Sequence, residues 1–409
     1  MSKVRVGILA KVFVEWSGGV DFITYIANAI AANPDFEPVF FVPDTNDALN
    51  FEDEASTAYT RWQRLAHRAR AQKPQSQSNP AKPLLTNLSG RVRIVYYRNT
   101  HVGLYSALAK SRIDIVLPTT NSLSSSFPWP WVGYIWDFQH KHLPEYFSKD
   151  EINGRQVAFR ATLTDAPAVI VNSEQAKVDI VHYFPELAKR RHVYSLPFCP
   201  SLDPAWLAID DGTMVSKYRL PRPYFIVCNQ FWVHKSHLTA IRAFAELHKS
   251  NPGIDLVCTG KMEEPRIPDY IDSLRREIKQ LGLTKSVHLL GYIPKNDQIG
   301  LLKRSIALVQ PTLYEGGPGG GAAYNAAALG IPIIASDIPV NKEIKEGIRF
   351  FKAGSAPALV KQMTAQLHAQ AAPPTAKALQ RKSDRNLQRL SRVLTTVIET
   401  TLNRQNHVN

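Results

Sequence analysis

Gln310-Pro311-Thr312-Leu313-Tyr314-Glu315-Gly316-Gly317-Pro318-Gly319-Gly320-Gly321 is the stretch on which the reading of this chain turns. It leaves a short apolar run, Ala307–Gln310, and enters a small-residue segment of helical character, 322–329. The apolar run has the length of a buried strand. Glycines after it let backbone N–H groups approach a ligand closely, and a helix N-terminus adds about half a positive charge. Strand, glycine loop and helix in that order bind phosphate without a metal. The spacing is not G-x-x-x-x-G-K-[ST] and not that of a dinucleotide fingerprint. Glu315 stands at the carboxyl end of the strand, where open α/β sheets take their ligands. A carboxylate there accepts hydrogen bonds from hydroxyls or offsets positive charge at a reacting carbon. Taken alone, the loop suits a tight helix–strand contact equally well.

The same alternation extends outward from this loop. In the second half, strand-like runs fall at Tyr224–Cys228, 256–259, 287–290, Ala307–Gln310 and 332–335, with helical segments at 238–250, 270–281, 297–304 and 322–329. The first half has strands at Val4–Leu9, 39–42, 92–97, 113–117, 131–136 and Ala168–Val171, with helices at 21–33, 150–164 and 173–183. Such alternation predicts parallel sheets covered by helices on both faces. Two sets of it predict two Rossmann-like domains, and 409 residues exceed one ordinary core. Prolines at 197, 200, 204, 221 and 223 mark the boundary. The expected division is 1–200, 215–375 and a basic C-terminal helix within 376–409 that packs back toward the first domain. Residues 72–83, rich in Gln, Ser, Pro and Lys, read as a surface loop.

A hydrophobic fraction of 44% and a charged fraction of 21% exclude disordered and collagen-like chains. No apolar run is long enough to span a bilayer, and the first residues lack a signal-peptide pattern, so a cytoplasmic location is expected. Cys199, Cys228 and Cys258 form no C-x-x-C pair and fit neither a zinc site nor a disulfide framework. The net charge of +14 is unevenly spread. Between Glu54 and Asp114 there is no acid, against eleven basic residues: Arg61, Arg64, Arg68, Arg70, Lys73, Lys82, Arg91, Arg93, Arg98, Lys110 and Arg112. One-sided charge of this kind suggests an anionic partner, a membrane surface or a phosphorylated substrate, and equally suits a basic face that only solvates the chain. Nucleic acid is disfavoured, because no recognition motif accompanies the charge.

Two further segments carry chemistry. Asn229-Gln230-Phe231-Trp232-Val233-His234-Lys235 follows the strand Tyr224–Cys228, so Lys235 is in position to neutralise a phosphate in the same crevice as Glu315. Trp16-Ser17-Gly18-Gly19-Val20 makes a second glycine turn after the first strand. Together these pieces resemble glycosyltransferases of the GT-B fold, specifically the retaining family 4. The likeness is strongest over residues 224–343.

The resemblance implies two Rossmann-like domains facing each other across a cleft, and a set of donor-binding positions. These are Gly18 and Gly19 in the first domain. In the second they are Gln230, Lys235, Gly260, Tyr292, Ile293, Glu315, Gly316, Gly317, Gly319, Gly320, Gly321 and Asn325. Leu290-Gly291-Tyr292-Ile293-Pro294 looks like the loop whose backbone reads the nucleotide base. Tyr134-Ile135-Trp136-Asp137-Phe138-Gln139-His140-Lys141-His142-Leu143-Pro144-Glu145-Tyr146-Phe147 resembles the acceptor-side segment, which adds Asp137 and His140 to Lys235 and Glu315 as catalytic candidates. The chain departs from the pattern at three places. Gln230 stands where relatives often have Arg, Trp136 where they have His, and Asn325 where the second acid of their pair falls.

What the resemblance implies is transfer of a sugar from a nucleotide diphosphate (GDP-mannose or a UDP-sugar) to a hydroxyl of a glycan or lipid-linked glycan. Such transfer belongs to polysaccharide biosynthesis, lipopolysaccharide or exopolysaccharide, with peripheral attachment to the cytoplasmic face of a membrane. No D-x-D and no metal-ligand spacing occur, so neither metal nor cofactor is expected. Two alternatives stay open: a sugar-nucleotide 2-epimerase, and a non-catalytic nucleotide-sugar-binding or partner subunit.

Overall fold

The computed structural model describes residues 3–15, 17–44, 92–189, 192–369 and 372–405. The chain divides into two compact units, Met1–Pro197 with Leu387–Asn409, and Phe198–Asn386. Strands β1 (Val4–Leu9), β2 (Phe36–Pro43), β3 (Arg93–Tyr97), β4 (Ile115–Thr119), β5 (Trp131–Ile135), β6 (Ala168–Val171) and β7 (His192–Ser195) form the first sheet. They are parallel and run in the order β3-β2-β1-β4-β5-β6-β7. The second sheet holds β8 (Tyr224–Cys228), β9 (Asp255–Thr259), β10 (Val287–Gly291), β11 (Ala307–Gln310), β12 (Ile333–Ser336) and β13 (Ile348–Phe351). It too is parallel, in the order β10-β9-β8-β11-β12-β13.

Both sheets therefore reverse direction once, between β1 and β4 and between β8 and β11. Helices on opposite faces leave an opening at such a reversal, outside the carboxyl ends of the two strands. In the second unit, Ala307 pairs with Phe225 and Leu308 with Ile226. Continuing that register sets Gln310 beside Cys228, so the loops that follow β8 and β11 start level with each other.

The central strands are apolar along their whole length and covered on both faces, as parallel strands require. Phe225, Val227, Leu256, Cys258 and Val309 are all fully buried against the helix His237–Ser250 and its neighbours. Capping sets helix starts. Ser148 accepts from Glu151 N at 3.2 Å while Glu151 Oε2 accepts from Ser148 N at 2.7 Å, which opens the helix Lys149–Asp165. Ser173 opens Glu174–Tyr183 and Ser355 opens Ala356–Leu367 through the serine oxygen alone, which accepts from Ala176 N and Ala358 N.

Strand runs read from sequence match the observed ones to within two or three residues. The edge strands β7 and β13 and the helices His101–Lys110 and Ala356–Leu367 go unread. Both missed strands are four residues long and only partly buried, so neither carries a continuous apolar signature. Gly18 and Gly19 do not form a turn ahead of a helix; they lie in the first turn of the helix Ser17–Ala31. Gly320 likewise opens the helix Gly320–Leu329, earlier than the apolar pattern suggests.

The last helix, Ala376–Gln405, is shared by the two units. In the first, Thr395 Oγ1 accepts from Asn33 Nδ2 at 3.0 Å and Thr400 Oγ1 from Tyr194 OH at 3.1 Å. In the second, Ser383 Oγ accepts from Leu202 N at 2.8 Å. The loop expected at 72–83 and seven of the eleven basic residues, Arg61 to Arg91, lie outside the described residues. Arg93, Arg98, Lys110 and Arg112 are described and exposed. No helix among the described residues is long and apolar enough to cross a membrane.

Gly260 follows β9 at φ +141°, and a Cβ placed there would stand 1.9 Å from the carbonyl oxygen of Asn229. Gly260→Ala should therefore cost at least about 3 kcal/mol in denaturant unfolding. Gly253, whose added Cβ meets nothing within 4 Å, should tolerate Ala at no cost. Equal losses at the two sites would contradict the close approach of β8 and β9.

Candidate functional site

The loop after β8 is built from the inside outward. Phe231 is fully buried, and its ring stacks on His237 at 4.2 Å between centroids. Its N–H bonds Lys261 O at 3.0 Å, and Val233 N bonds Glu264 Oε2 at 2.8 Å, which ties the loop to the one after β9. Val233–Lys235 closes a single 3-10 turn, and Ser236 at φ +54° redirects the chain into the helix His237–Ser250. His234 O accepts from Leu313 N at 2.7 Å, so the loops after β8 and β11 are joined by backbone.

This framework brings Lys235 to Glu315. Nζ donates to Oε1 at 2.6 Å, and the two side chains are 13% and 7% exposed. Gln310 Nε2 donates to the same oxygen at 3.2 Å, and Gln310 is itself held by reciprocal amide bonds with Asn229 at 3.0 and 3.1 Å. Burial, with Lys235 close by, pushes His234 down to about 2 and His237 down to about 3. Both imidazoles are neutral near pH 7, so the cation of this crevice is Lys235. Burial also pushes the Cys228 thiol up to about 12 and raises Cys258 further, which removes both as nucleophiles.

The glycine loop is fixed from β12. Asn341 Oδ1 accepts from Gly319 N at 2.8 Å, and Asn341 Nδ2 donates to Ser336 O at 3.0 Å. Ser336 Oγ in turn donates to Thr312 O at 2.5 Å. Gly319 and Gly320 both take left-handed φ, +64° and +61°. A Cβ on Gly320 would press on the Glu315 carboxylate at 3.1 Å, whereas one on Gly321 meets nothing within 4 Å. The helix Gly320–Leu329 has no side-chain cap. Gly320 N bonds Gly317 O at 3.2 Å; the amides that follow it in the first turn have no side-chain partner and open beside an ion pair.

Of the remaining candidates, Gln230 shares the β8 loop, and Gly316 and Gly317 lie half-buried between Glu315 and the helix. Asn325 is half-buried in that helix, a turn beyond the glycines. Gly260, Tyr292 and Ile293 stand at the ends of β9 and β10, on the side of β8 away from β11. Gly260 N bonds Gly291 O at 2.8 Å; Tyr292 is 73% exposed and Ile293 buried. In the first unit, Gly18 is exposed and Gly19 buried.

Asp137 and His140 follow β5. Asp137 Oδ1 accepts from Gln139 N at 3.0 Å, capping the turn, and from Arg155 Nη1 at 2.8 Å. His140 is 1% exposed, with its ring among Phe138, Phe147 and Phe159. Burial, then Arg155, Lys141 and His142, push it down to about 3. The imidazole expected to face an acceptor is thus a neutral core group. His142, not His140, is the partly exposed histidine, paired with the buried Asp179 at 3.0 Å. Arg155, whose guanidinium also lies over the Trp136 and Phe147 rings, escapes sequence reading because it sits eighteen residues beyond its partner on another helix. Among the described residues no group of three or more His, Cys, Asp and Glu is arranged to hold a metal.

Residues 215–384 match the family model of glycosyl transferases group 1. That stretch of the second unit is thus similar to a glycosyl transferases group 1 domain. Glycosyltransferase 1 domain-containing protein 1 of Xenopus tropicalis is 32% identical over 121 residues, 30% of this chain and 32% of that protein. The chain thus aligns with about a third of that relative's length. Sucrose-phosphate synthase from Thermosynechococcus elongatus superposes with a TM-score of 0.63 at 16% identity, covering 99% of this chain and 100% of the other. Anabaena HepE, in complex with UDP and glucose, gives 0.58 at 15% identity over 97% and 99%. At such identities the likeness is one of fold, and the fold is GT-B: two Rossmann-like domains.

Gly321→Ala tests whether a ligand comes against the start of the helix Gly320–Leu329. Unfolding should change by less than about 0.5 kcal/mol, since the methyl enters open space. Nucleoside diphosphate should bind at least about tenfold more weakly by calorimetry, while the bare nucleoside changes little. Undiminished diphosphate affinity would show that no phosphate approaches these amides.

Proposed function

We propose that the protein is a retaining glycosyltransferase that moves a hexose from a nucleoside-diphosphate sugar to a hydroxyl of a glycan acceptor. The observation that carries this reading is the Lys235–Glu315 pair beside an uncapped, glycine-lined helix terminus at the reversal of a parallel sheet. Two features of that crevice suit a diphosphate leaving group. As the bond from the sugar carbon to the phosphate oxygen breaks, the diphosphate gains negative charge. Lys235 and the first-turn amides stabilise that charge more than the ground state, which lowers the barrier. The acceptor oxygen bonds to the sugar carbon on the face the phosphate leaves, and the departing phosphate oxygen takes the acceptor's proton. No enzyme nucleophile is needed. Glu315 is placed to receive a sugar hydroxyl or to balance the positive charge that grows on the sugar ring.

The group 1 match and the sugar-phosphate synthase among the structural neighbours support this class of reaction. HepE has been solved with UDP-glucose, which makes UDP the first base to try. A lipid-linked acceptor with peripheral attachment through the basic stretch ending at Arg112 extends the proposal. A non-catalytic nucleotide-sugar-binding subunit is the second reading, favoured by Gln230 and Asn325 standing where relatives carry charge.

A thermal-shift screen against UDP, GDP, dTDP and ADP separates the bases. At a hundredfold excess over its dissociation constant, the right one stabilises by about 2.7 kcal/mol. Glu315→Gln should still bind that diphosphate, because Lys235 loses its counter-ion and keeps its charge, while turnover falls about a hundredfold. Unchanged turnover would remove Glu315 from the chemistry. Transfer should survive EDTA, since Lys235 and the helix terminus supply the positive charge. Loss on chelation with recovery in Mg²⁺ would overturn the metal-independent mechanism.

A further inference from the structure

We infer that Asn229 and Gln310 are a positioning pair that gives the two oxygens of Glu315 separate work: Oε1 is committed to the protein, and Oε2 is left for a hydroxyl of the bound donor. The inference rests on the reading of this crevice as a donor site. Each opens one of the two stretches that mark the site, Asn229 ahead of Lys235 and Gln310 ahead of the glycine loop, yet neither bears charge.

The two amides are almost sealed from solvent, Gln310 at 0% and Asn229 at 7% exposure. They bond head to tail, Asn229 Nδ2 to Gln310 Oε1 at 3.0 Å and Gln310 Nε2 to Asn229 Oδ1 at 3.1 Å. The second N–H of Gln310 goes to Glu315 Oε1 at 3.2 Å. An amide pair of this kind reads the same if both members are flipped, so by itself it has no preferred direction. The carboxylate removes the ambiguity. A flipped pair would set the Gln310 carbonyl oxygen against a negatively charged oxygen, whereas the observed direction presents an N–H.

The consequence runs back to Glu315. Its terminal torsion is intrinsically broad and nearly two-fold, so an unrestrained carboxylate exchanges its oxygens freely. With Lys235 at 2.6 Å and Gln310 at 3.2 Å, both on Oε1, that exchange is blocked. Oε2 accepts no hydrogen bond among the described residues. Both oxygens lie close to a Cβ built on Gly320, Oε2 at 3.1 Å and Oε1 at 3.2 Å, so the carboxylate abuts the start of the helix with Oε2 the oxygen left without a protein donor. A donor whose phosphates lie against those amides brings its sugar hydroxyls to Oε2.

The pair is rigid from behind as well. Asn229 follows β8 directly and Gln310 ends β11, the two strands between which the sheet order reverses. Gly260, at the end of β9, presses its backbone against the Asn229 carbonyl. Positional error in Glu315 is therefore limited by three strands, and an error of about 1 Å costs on the order of a hundredfold in rate.

Three measurements on the full chain test the inference. Gln310→Leu keeps the volume and removes the donor; turnover should fall about a hundredfold, with the KM for the sugar nucleotide and calorimetric affinity for its diphosphate nearly unchanged. Gln310→Glu introduces a carboxyl that donates to Oε1 when protonated and repels it when ionised. Its activity should climb as pH is lowered through that group's titration, a limb absent from the unmodified protein. A loss equal at every pH, or unaltered turnover in Gln310→Leu, overturns the positioning role.

The third measurement needs no activity. With ¹⁵N-labelled glutamine, the Gln310 side-chain amide should be protected from hydrogen exchange and should shift on Glu315→Gln. An unprotected amide indifferent to that change also overturns the inference. If the unmodified protein bound no nucleoside diphosphate and transferred no sugar, the donor-site reading would fail, and the amide signal would still decide whether Gln310 holds Glu315.

Discussion

Lys235 and Glu315 form a hydrogen-bonded ion pair at 2.6 Å with little solvent on either side. A pair buried that far is stabilising only if the remaining lone pairs and protons are also met, and removing one partner costs several kcal/mol. Much of the second unit's construction answers that demand. The parallel register levels the ends of β8 and β11, so the two residues can reach each other across one opening. Gln310 supplies the second donor to the carboxylate. Gly320 takes a left-handed conformation and carries no Cβ where the carboxylate needs room. Neutral His234 and His237 line the cation without adding charge.

The same opening accounts for what the site can bind. A lysine already neutralised by a carboxylate does not by itself attract an anion strongly. The uncapped first turn of Gly320–Leu329 adds donors that no side chain meets, and together they suit a phosphate whose sugar points toward Glu315. Charge is thus shared between a side chain and a backbone dipole, neither of which needs to reorganise during reaction.

How much of this is legible in the sequence follows from the range of each interaction. The strand runs, the glycine loop and the pairing of Lys235 with Glu315 in one crevice can be read, because each depends on local pattern plus the rule for sheet reversal. Asn229 and Gln310 stand in plain view beside those motifs, yet their bond depends on register across two strands, which no local pattern encodes. Arg155 reaches Asp137 from a separate helix and is invisible for the same reason. His140 illustrates the opposite case. Its neighbours Phe138 and Phe147 are readable, but whether an aromatic-flanked histidine faces solvent or core depends on Phe159, contributed by the next helix.

The account's central claim is that an anionic ligand closes on the first-turn amides next to Lys235. Hydrogen-exchange mass spectrometry with and without saturating nucleoside diphosphate tests it most directly, because it reads those amides themselves. Ligand should slow exchange over residues 233–235 and 321–323 more than anywhere else in the second unit. Protection confined to other segments, with these amides exchanging as before, would contradict the claim.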